Sequence, residues 1–315
     1  MKNVTLRQLK VFEAVANHLS FSRAAEELHL TQPAVSMQVQ ALAEQAGVPL
    51  FEQMGKKIFL TAAGEELLRH ARRVGQQLRE AGDALAAIRG AKGGRLMLGV
   101  VSTAKYFAPR LLVAFRDQHP HADLRLGVYN RETLVNRLAD NQIDLAIMGT
   151  PPKEVDTVSS VFADHPHVIV AAADYHLAGR KRIAPAELAS EPFLIREPGS
   201  GTRGAMERFF AGHGVSLVNT TEMDSNETIK QAVMAGMGLS FISDHTIGLE
   251  LAAGRLVRLP VTGTPVMRQW FVVHRADKQL LPMTNAFLDF VRAEGPRLIV
   301  KQAPIVPIET ASGAT

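Results

Sequence analysis

The stretch FSRAAEELHLTQPAVSMQVQAL, residues 21–42, carries a proline just where an amphipathic helix begins. Val35, Val39 and Leu42 recur at helical spacing and make one apolar stripe. Thr31 stands at the N-cap position, which puts Pro33 in the first turn. There its missing N–H costs little and its fixed φ suits a helix, so the proline starts the helix rather than breaking it. The opposite face shows Pro33, Ser36, Met37 and Gln40, with Gln32 at the tip. That face is neither a charged solubilising surface nor an apolar core surface.

Upstream, Leu9, Phe12, Ala16 and Leu19 mark one helical face over residues 6–19. Phe21, Ala24, Ala25 and Leu28 mark another over 21–28, with Ser20 or Ser22 as its cap. A turn at His29–Thr31 joins this helix to the next, giving a helix-turn-helix. Its second helix fits the DNA major groove and reads bases with residues near its N-terminus. Gln donates and accepts at adenine, Ser serves in either role, and an apolar group meets a thymine methyl. Downstream, PLFEQMGKKIFL places two β-prone runs around Met54-Gly55-Lys56-Lys57, a basic hairpin tip. The expected DNA contacts are Arg23, Thr31, Gln32, Pro33, Ser36, Met37, Gln40, Lys56 and Lys57, with Arg23 and the two lysines on phosphates.

Thr61 to Arg89 reads as one long helix. Leu67, Ala71, Val74, Leu78, Ala81, Leu85 and Ile88 alternate spacings of four and three, a heptad seam. At 1.5 Å per residue the helix is about 40 Å long. Between two domains little else is at hand to cover such a seam, so it predicts dimerisation. Gly75 and Gly82 weaken the helix.

Gly90-Ala91-Lys92-Gly93-Gly94 is the clearest linker. Beyond it strands and helices alternate, which predicts an α/β domain. NRETLVNRLADNQIDLAIMG is echoed by SNETIKQAVMAGMGLSFIS, so two similar lobes are expected, with a cleft between them. Helix N-termini at Ser102-Thr103 and at Gly199, Ser200, Gly201 and Thr202 are expected to face it, with the turns at Asn130, Arg131, Glu132 and Thr133 and at Asn226, Glu227 and Thr228. Unpaired N–H groups and positive dipole ends favour an anion there. Lys105, Arg131, Arg196 and Arg203 lie beside these turns and add charge-assisted bonds to phosphate or carboxylate. VSSVFADHPHVIVAAA links the lobes and MRQWFVVHRAD crosses back. The tail from about residue 302, rich in Pro, Thr, Ala and Gly, is expected to be disordered.

The composition bounds the function classes. The chain has 315 residues, 46% hydrophobic and 21% charged, enough for about two cored domains. With no cysteine, disulfides and thiolate metal sites are excluded. The net charge of +4 and pI of 9.4 are only mildly basic and do not by themselves single out nucleic acid. Arg7, Lys10 and Glu13 interrupt the first apolar residues, unlike a signal peptide, and no run approaches the ~20 apolar residues of a membrane span. A soluble cytoplasmic protein is expected.

One motif favours a rival class. Gly199-Ser-Gly201-Thr-Arg-Gly204 matches G-x-G-x-x-G between a strand and a helix, and Glu222 falls near the end of the next strand, as in NAD(P)-binding oxidoreductases. Pro198 interrupts the turn before the first Gly, and no acid or base stands at recognisable spacing, so no catalytic residue is assigned. A plain solute-binding protein would suit the two lobes but not the helix-turn-helix. His165 and His167 share a strand face without a third ligand, and no metal site is expected.

SFSRAAEELHLTQPAVS, continued by PLFEQMGKKIFLTAAGEELL, resembles the amino-terminal domain of LysR-type transcriptional regulators, and the likeness runs through nearly the whole chain. TQPAVSMQV, LFEQMGKKI, FLIREPGSGTR and SNETIKQAVMAGMGLSFIS are most similar to the CbbR type, activators of Calvin-cycle (Rubisco) operons. The resemblance implies a winged helix-turn-helix over 1–60, a dimerising linker helix over 61–90, and a periplasmic-binding-protein-like α/β effector domain. Its lobes would span 91–165 and 166–267, with a return to the first over 268–300 and a tail over 301–315. It further implies promoter DNA, RNA polymerase and further copies of the chain, in a dimer or tetramer, as partners. The effector would be a phosphorylated carbon metabolite or NADPH, with no catalytic cofactor; regulation of another operon is the alternative. Met37 stands where many LysR-type proteins carry Arg, which makes base readout at that step apolar.

Overall fold

The computed structural model describes residues 3–55, 57–88 and 93–300. Lys56, the linker residues 90–92 and the tail from 301 lie outside the described residues. The chain divides into two compact units, one built on residues up to 92 and the other on those from 93.

The first unit contains α1 (Leu6–His18), α2 (Phe21–Leu28), α3 (Gln32–Ala46), β1 (Phe51–Met54), β2 (Lys57–Leu60) and α4 (Ala62–Ile88). Local chemistry sets the ends of its helices. Thr5 and Gln8 form a reciprocal capping box at the start of α1, with Gln8 N donating to Thr5 Oγ1 at 3.2 Å and Thr5 N to Gln8 Oε1 at 2.9 Å. Leu19 and His29 close α1 and α2 in the left-handed conformation. Val15, Ala24 and Val35 are fully buried where the three helices meet. In the β1–β2 hairpin Met54 pairs with Lys57, and Gly55 at its tip has φ +64°.

The start of α4 departs from the expected seam. Leu67 and Ala71 are buried in this unit's own core, with Phe12, Leu42 and Leu50. Gly64 makes that docking possible, because a Cβ there would meet the Leu50 carbonyl oxygen at 2.1 Å. Val74, Leu78 and Leu85 remain exposed, at 39%, 51% and 56%. The apolar stripe thus serves two purposes in sequence: its first positions close the helix-turn-helix core and only the later ones are free. Nothing is described of the Ile88 side chain.

The second unit runs β3 (Arg95–Val101), a 3-10 turn (Ala104–Tyr106), α5 (Ala108–Gln118), β4 (Asp123–Tyr129), α6 (Arg131–Ala139) and β5 (Leu145–Met148). The long β6 (Thr157–Ala172) and a 3-10 turn (Pro185–Leu188) lead to β7 (Phe193–Arg196), α7 (Gly201–Gly212), β8 (Thr220–Met223), α8 (Asn226–Met234) and β9 (Leu239–Ser243). A 3-10 turn (Asp244–Thr246), α9 (Gly248–Ala252), β10 (Leu256–Arg258), β11 (Val266–Arg275) and α10 (Pro282–Val300) complete it.

The strand order β4-β3-β5-β11-β6-β9-β7-β8, with β10 also on β6, contains the same parallel triplet twice, β4-β3-β5 and β8-β7-β9. The repeated sequence pattern therefore corresponds to a repeated β-α-β-α-β lobe. β6 and β11 pair antiparallel and run through both lobes. Alternation along β6 divides the second lobe's core: Ile169 and Ala171 pack with Phe193, Phe209 and Phe210, while Val168 and Val170 pack with Ile229 and Val233. In the first lobe Trp270 of β11 is fully buried against Phe107, in a core shared with Phe115 and Phe287.

Candidate functional site

In the first unit the candidate site is the outer face of α3. The Thr31 hydroxyl accepts from Ala34 N, Pro33 occupies the first turn, and Val35, Val39 and Leu42 are buried. The outward residues follow from that anchoring: Thr31, Gln32, Pro33, Met37 and Gln40 are exposed and Ser36 is half-buried. Met37 is 64% exposed, far from the behaviour of a core methionine. Gln40 Nε2 donates to Glu44 Oε1 at 3.2 Å, so its amide is held along the helix. Arg23 on α2 and Lys57 on β2 are exposed cations, and Lys56 lies outside the described residues.

In the second unit a cavity of about 610 Å³ lies between the lobes. Ser102, Thr103, Asn130, Arg131, Arg196, Gly199, Ser200, Gly201, Thr202 and Arg203 line it. The first turn of α7 faces it, and Ser200 at the N-cap makes no side-chain cap bond, which leaves this helix end to be satisfied by something else. Asn130 Oδ1 accepts from Thr133 N at 2.8 Å and so caps α6 at the cavity wall. Ser102 and Thr103 do not sit at the start of α5 as expected; the 3-10 turn Ala104–Tyr106 intervenes, and they reach the cavity from the end of β3.

Six expected residues are elsewhere. Asn226 is buried behind the wall, accepting from Arg196 Nη1 at 2.6 Å. Thr133 contributes its amide to the α6 cap, and Glu132 and Thr228 face solvent. Glu227 accepts from the Tyr106 hydroxyl at 2.5 Å and pairs with Lys230, while Lys105 stands 3.8 Å from it. The 3-10 turn sets Lys105 and Tyr106 against Glu227 on α8, and Lys105 does not line the cavity.

The charge is also not where the sequence suggested. Arg196 is clasped by Glu197, with Nε to Oε2 at 2.7 Å and Nη2 to Oε1 at 2.8 Å. Its remaining donors go to Asn226 and, from Nη2, to Ser102 Oγ at 3.3 Å. Arg203 is held by Glu207 at 2.9 Å and Glu222 at 2.6 Å. Both arginines are neutralised within the protein and act as braces rather than as free anion receptors. The Arg203–Glu222 pair also occupies the carboxylate that a dinucleotide ribose would need.

The uncompensated charge comes from residues that local sequence did not flag: Lys153, Arg208 and Arg268. None of the three joins an ion pair among the described residues, and the contact of Arg131 with Glu154 is long, at 3.9 Å. Arg268 crosses the cavity on β11. It donates from Nη1 to Gly201 O at 3.0 Å, and from Nη2 to Gly149 O at 3.1 Å and Thr150 Oγ1 at 2.6 Å. Burial, with Arg208 and Arg131 as like charges nearby, pushes its pKa down to about 10. An anion beside it would offset that burial and the like charges.

His165 completes the floor. It is 2% exposed, stacks on Trp270 at 3.7 Å between centroids, and hydrogen-bonds Ser243 Oγ at 3.0 Å. Its Nδ1 has no partner among the described residues. A Cβ at Gly149 would lie 3.1 Å from that nitrogen and 3.4 Å from Arg268 Nη2, so glycine there leaves both groups open. Burial and the nearby Arg268 hold His165 and His167 far below the ordinary imidazole pKa, His167 at about 3, so both are neutral. No cluster of three or more metal-ligating residues occurs among the described residues.

Comparison with known proteins gives these two sites a context. The sequence pattern of the bacterial regulatory helix-turn-helix proteins of the lysR family matches residues 6–65, and that of the LysR substrate binding domain matches 89–296. A RuBisCO operon transcriptional regulator of Allochromatium vinosum is 50% identical over 94% of this chain and 98% of its own length. The HTH-type transcriptional regulator CbbR of Rhodospirillum rubrum is 51% identical over 91% of this chain and 96% of its own. Among solved structures, the Synechocystis PCC6803 CcmR regulatory domain in complex with 2-PG is 42% identical with a TM-score of 0.61, covering 64% of this chain and 96% of that one. The helix-turn-helix pattern covers the first unit, the substrate-binding pattern covers the two-lobed domain, and the chain belongs to the LysR family of DNA-binding transcriptional regulators.

Proposed function

We propose that this regulator activates carbon-fixation (Rubisco) genes and that its effector is a small phosphorylated metabolite bound between the two lobes. The observation that carries the effector assignment is the group Arg131, Lys153, Arg208 and Arg268, which faces the uncapped start of α7 and whose one ion pair among the described residues is the 3.9 Å contact of Arg131 with Glu154. A phosphate group takes backbone N–H groups at a helix start and arginine forks together. The 50% identity to a RuBisCO operon regulator and the 2-PG held by a related regulatory domain support both halves of the reading. NADPH is the second candidate, and the engagement of Glu222 by Arg203 weighs against it.

The DNA-reading residues are Gln32, Pro33, Ser36, Met37 and Gln40, with Arg23, Thr31, Lys56 and Lys57 on the backbone. The exposed part of the α4 seam, Val74, Leu78, Ala81 and Leu85, joins two copies, and pairs of dimers meet RNA polymerase at the promoter in the cytoplasm. No chemistry is performed on the effector. It acts by differential affinity for two lobe arrangements, which alters the spacing of recognition helices on DNA.

A mobility-shift titration on the promoter upstream of the Rubisco genes tests the reading. It is run with 2-phosphoglycolate, ribulose bisphosphate, phosphoenolpyruvate and NADPH in turn. A shift in affinity or footprint with at least one phosphorylated acid is expected. Binding that ignores all four would remove the effector assignment while leaving the DNA assignment intact.

A further inference from the structure

A second cavity, of about 490 Å³, lies between the 3-10 turn Ala104–Tyr106 and α5 on one side and α8, the turn Asp244–Thr246 and α9 on the other. It shares no lining residue with the first cavity. Most of its charge is already satisfied. The Lys230 ammonium donates to Glu250 Oε1 at 2.7 Å and Thr246 O at 3.1 Å, and it pairs with Glu227 Oε2 at 3.1 Å. The Tyr106 hydroxyl donates to Glu227.

Arg110 is the exception. Its guanidinium has no hydrogen-bond or ion-pair partner among the described residues, and its Nη1 is buried. A buried guanidinium N–H without an acceptor is unfavourable, so the arrangement calls for an anion. A neutral donor stands nearby. Trp270 Nε1 donates to His245 Nδ1 at 3.1 Å, and because an indole only donates, the His245 proton must sit on Nε2. That Nε2–H has no partner among the described residues, and its ring lines the cavity. Burial, aided by the Arg110 charge and opposed by the Asp244 carboxylate, holds the ring below the ordinary imidazole pKa, which keeps it neutral.

We propose that this cavity is a second ligand site, which takes a small monocarboxylate through the Arg110 fork and His245 Nε2–H. With Lys105 3.8 Å from Glu227, the cations Lys105, Arg110 and Lys230 outnumber the carboxylates Glu227 and Glu250 by one, so one negative charge balances the cluster, and a planar carboxylate matches the Arg110 fork. Glu227 and Glu250 on the wall disfavour a second negative charge and so exclude a phosphate dianion. The Tyr106 ring and Leu249, 75% exposed, give an aliphatic tail apolar contact.

The two cavities are joined by a run of rings. Trp270 is bonded to His245 and stacked on His165, and His165 forms the floor of the first cavity. A carboxylate on His245 therefore bears on the indole, and through it on the first site. Trp270 is the sole tryptophan of the sequence, so its fluorescence reports on this junction alone.

The test is a fluorescence titration of the full-length protein with sodium butyrate, at ionic strength held constant with chloride. A saturable change below about 10 mM is expected, with none from chloride itself. Arg110→Met weakens it at least about tenfold, and Arg110→Lys, which keeps the charge without the fork, falls between the two. Far-UV circular dichroism confirms that both variants are folded. A wild-type signal flat to about 10 mM, or an Arg110→Met variant with unchanged affinity, overturns the proposal. So does a change in sedimenting mass on Arg110→Met, which would make the partner of Arg110 a second copy of this chain.

Discussion

Arg196 Nη2 donates to Ser102 Oγ at 3.3 Å, bridging the end of β7 in one lobe to the end of β3 in the other. The same guanidinium is held from behind by Asn226 and from the side by Glu197, so its position is set before any effector arrives. Asn226→Leu removes the acceptor of a buried Nη1. It should lower stability by about 1–3 kcal/mol, read as a reduced urea midpoint at unchanged m-value. A midpoint equal to wild type would mean that Arg196 finds another acceptor and that the brace is not needed.

Along α4 the apolar stripe should separate into two behaviours. Leu67→Ala leaves a cavity in a core shared with Phe12 and Leu50, and should cost about 2–5 kcal/mol of folding stability. Leu78→Glu changes a residue 51% exposed in one chain, and should shift sedimentation velocity toward monomer with little change in the secondary-structure signal. An unchanged mass for Leu78→Glu would discard the seam as a pairing surface.

On the DNA side, readout and anchoring should come apart. Gln32→Ala and Met37→Ala should each narrow the difference between operator and scrambled DNA by about 1–3 kcal/mol. Lys57→Ala should weaken binding to both alike and lower the slope of log K against log salt by about one. If Lys57→Ala altered discrimination, or Met37→Ala changed only the salt slope, the assigned roles would be reversed.

The buried imidazoles make stability depend on pH. His167 is held at about 3 by burial and by Arg268, while an unfolded histidine titrates near 6.5. Below about pH 6.5 the unfolded chain binds a proton that the folded chain refuses, so stability falls as pH drops through that range. The slope is about 1.4 kcal/mol per pH unit for each such histidine, and His165 adds to it in the same direction. Urea unfolding between pH 7 and pH 5 should show the loss, and His167→Gln should flatten it in a variant otherwise folded at pH 7. A curve level down to pH 5 would show that these rings take up protons without unfolding.

Short-range chemistry was legible in the sequence. The Thr31 cap and Pro33 start α3, the Val35/Val39/Leu42 stripe fixes which face is hidden, and Gly55 stands at the hairpin tip. All of this acts over three to seven residues, and the β-α-β-α-β pattern of the lobes was legible because the sequence repeats it. The lining of the cavity by Ser102, Asn130 and Gly199–Thr202 followed from the same local rules, because helix starts and strand ends gather at one side of a parallel sheet.

What only the tertiary structure decided was which charges and which apolar residues stay unpaired. Arg196 and Arg203 looked free, but Asn226 and Glu222 reach them from elements further along the chain. Arg268 looked like one residue of a crossing strand, yet it meets Gly149 and Thr150 from more than a hundred residues away with no carboxylate beside it. Leu67 and Leu78 both belong to the heptad seam, and only the docking of α4 on Leu50 separates them. The physical reason is common to all three cases. Capping and periodicity depend on neighbours in the chain, whereas neutralisation and burial depend on neighbours in space, which the fold alone assigns.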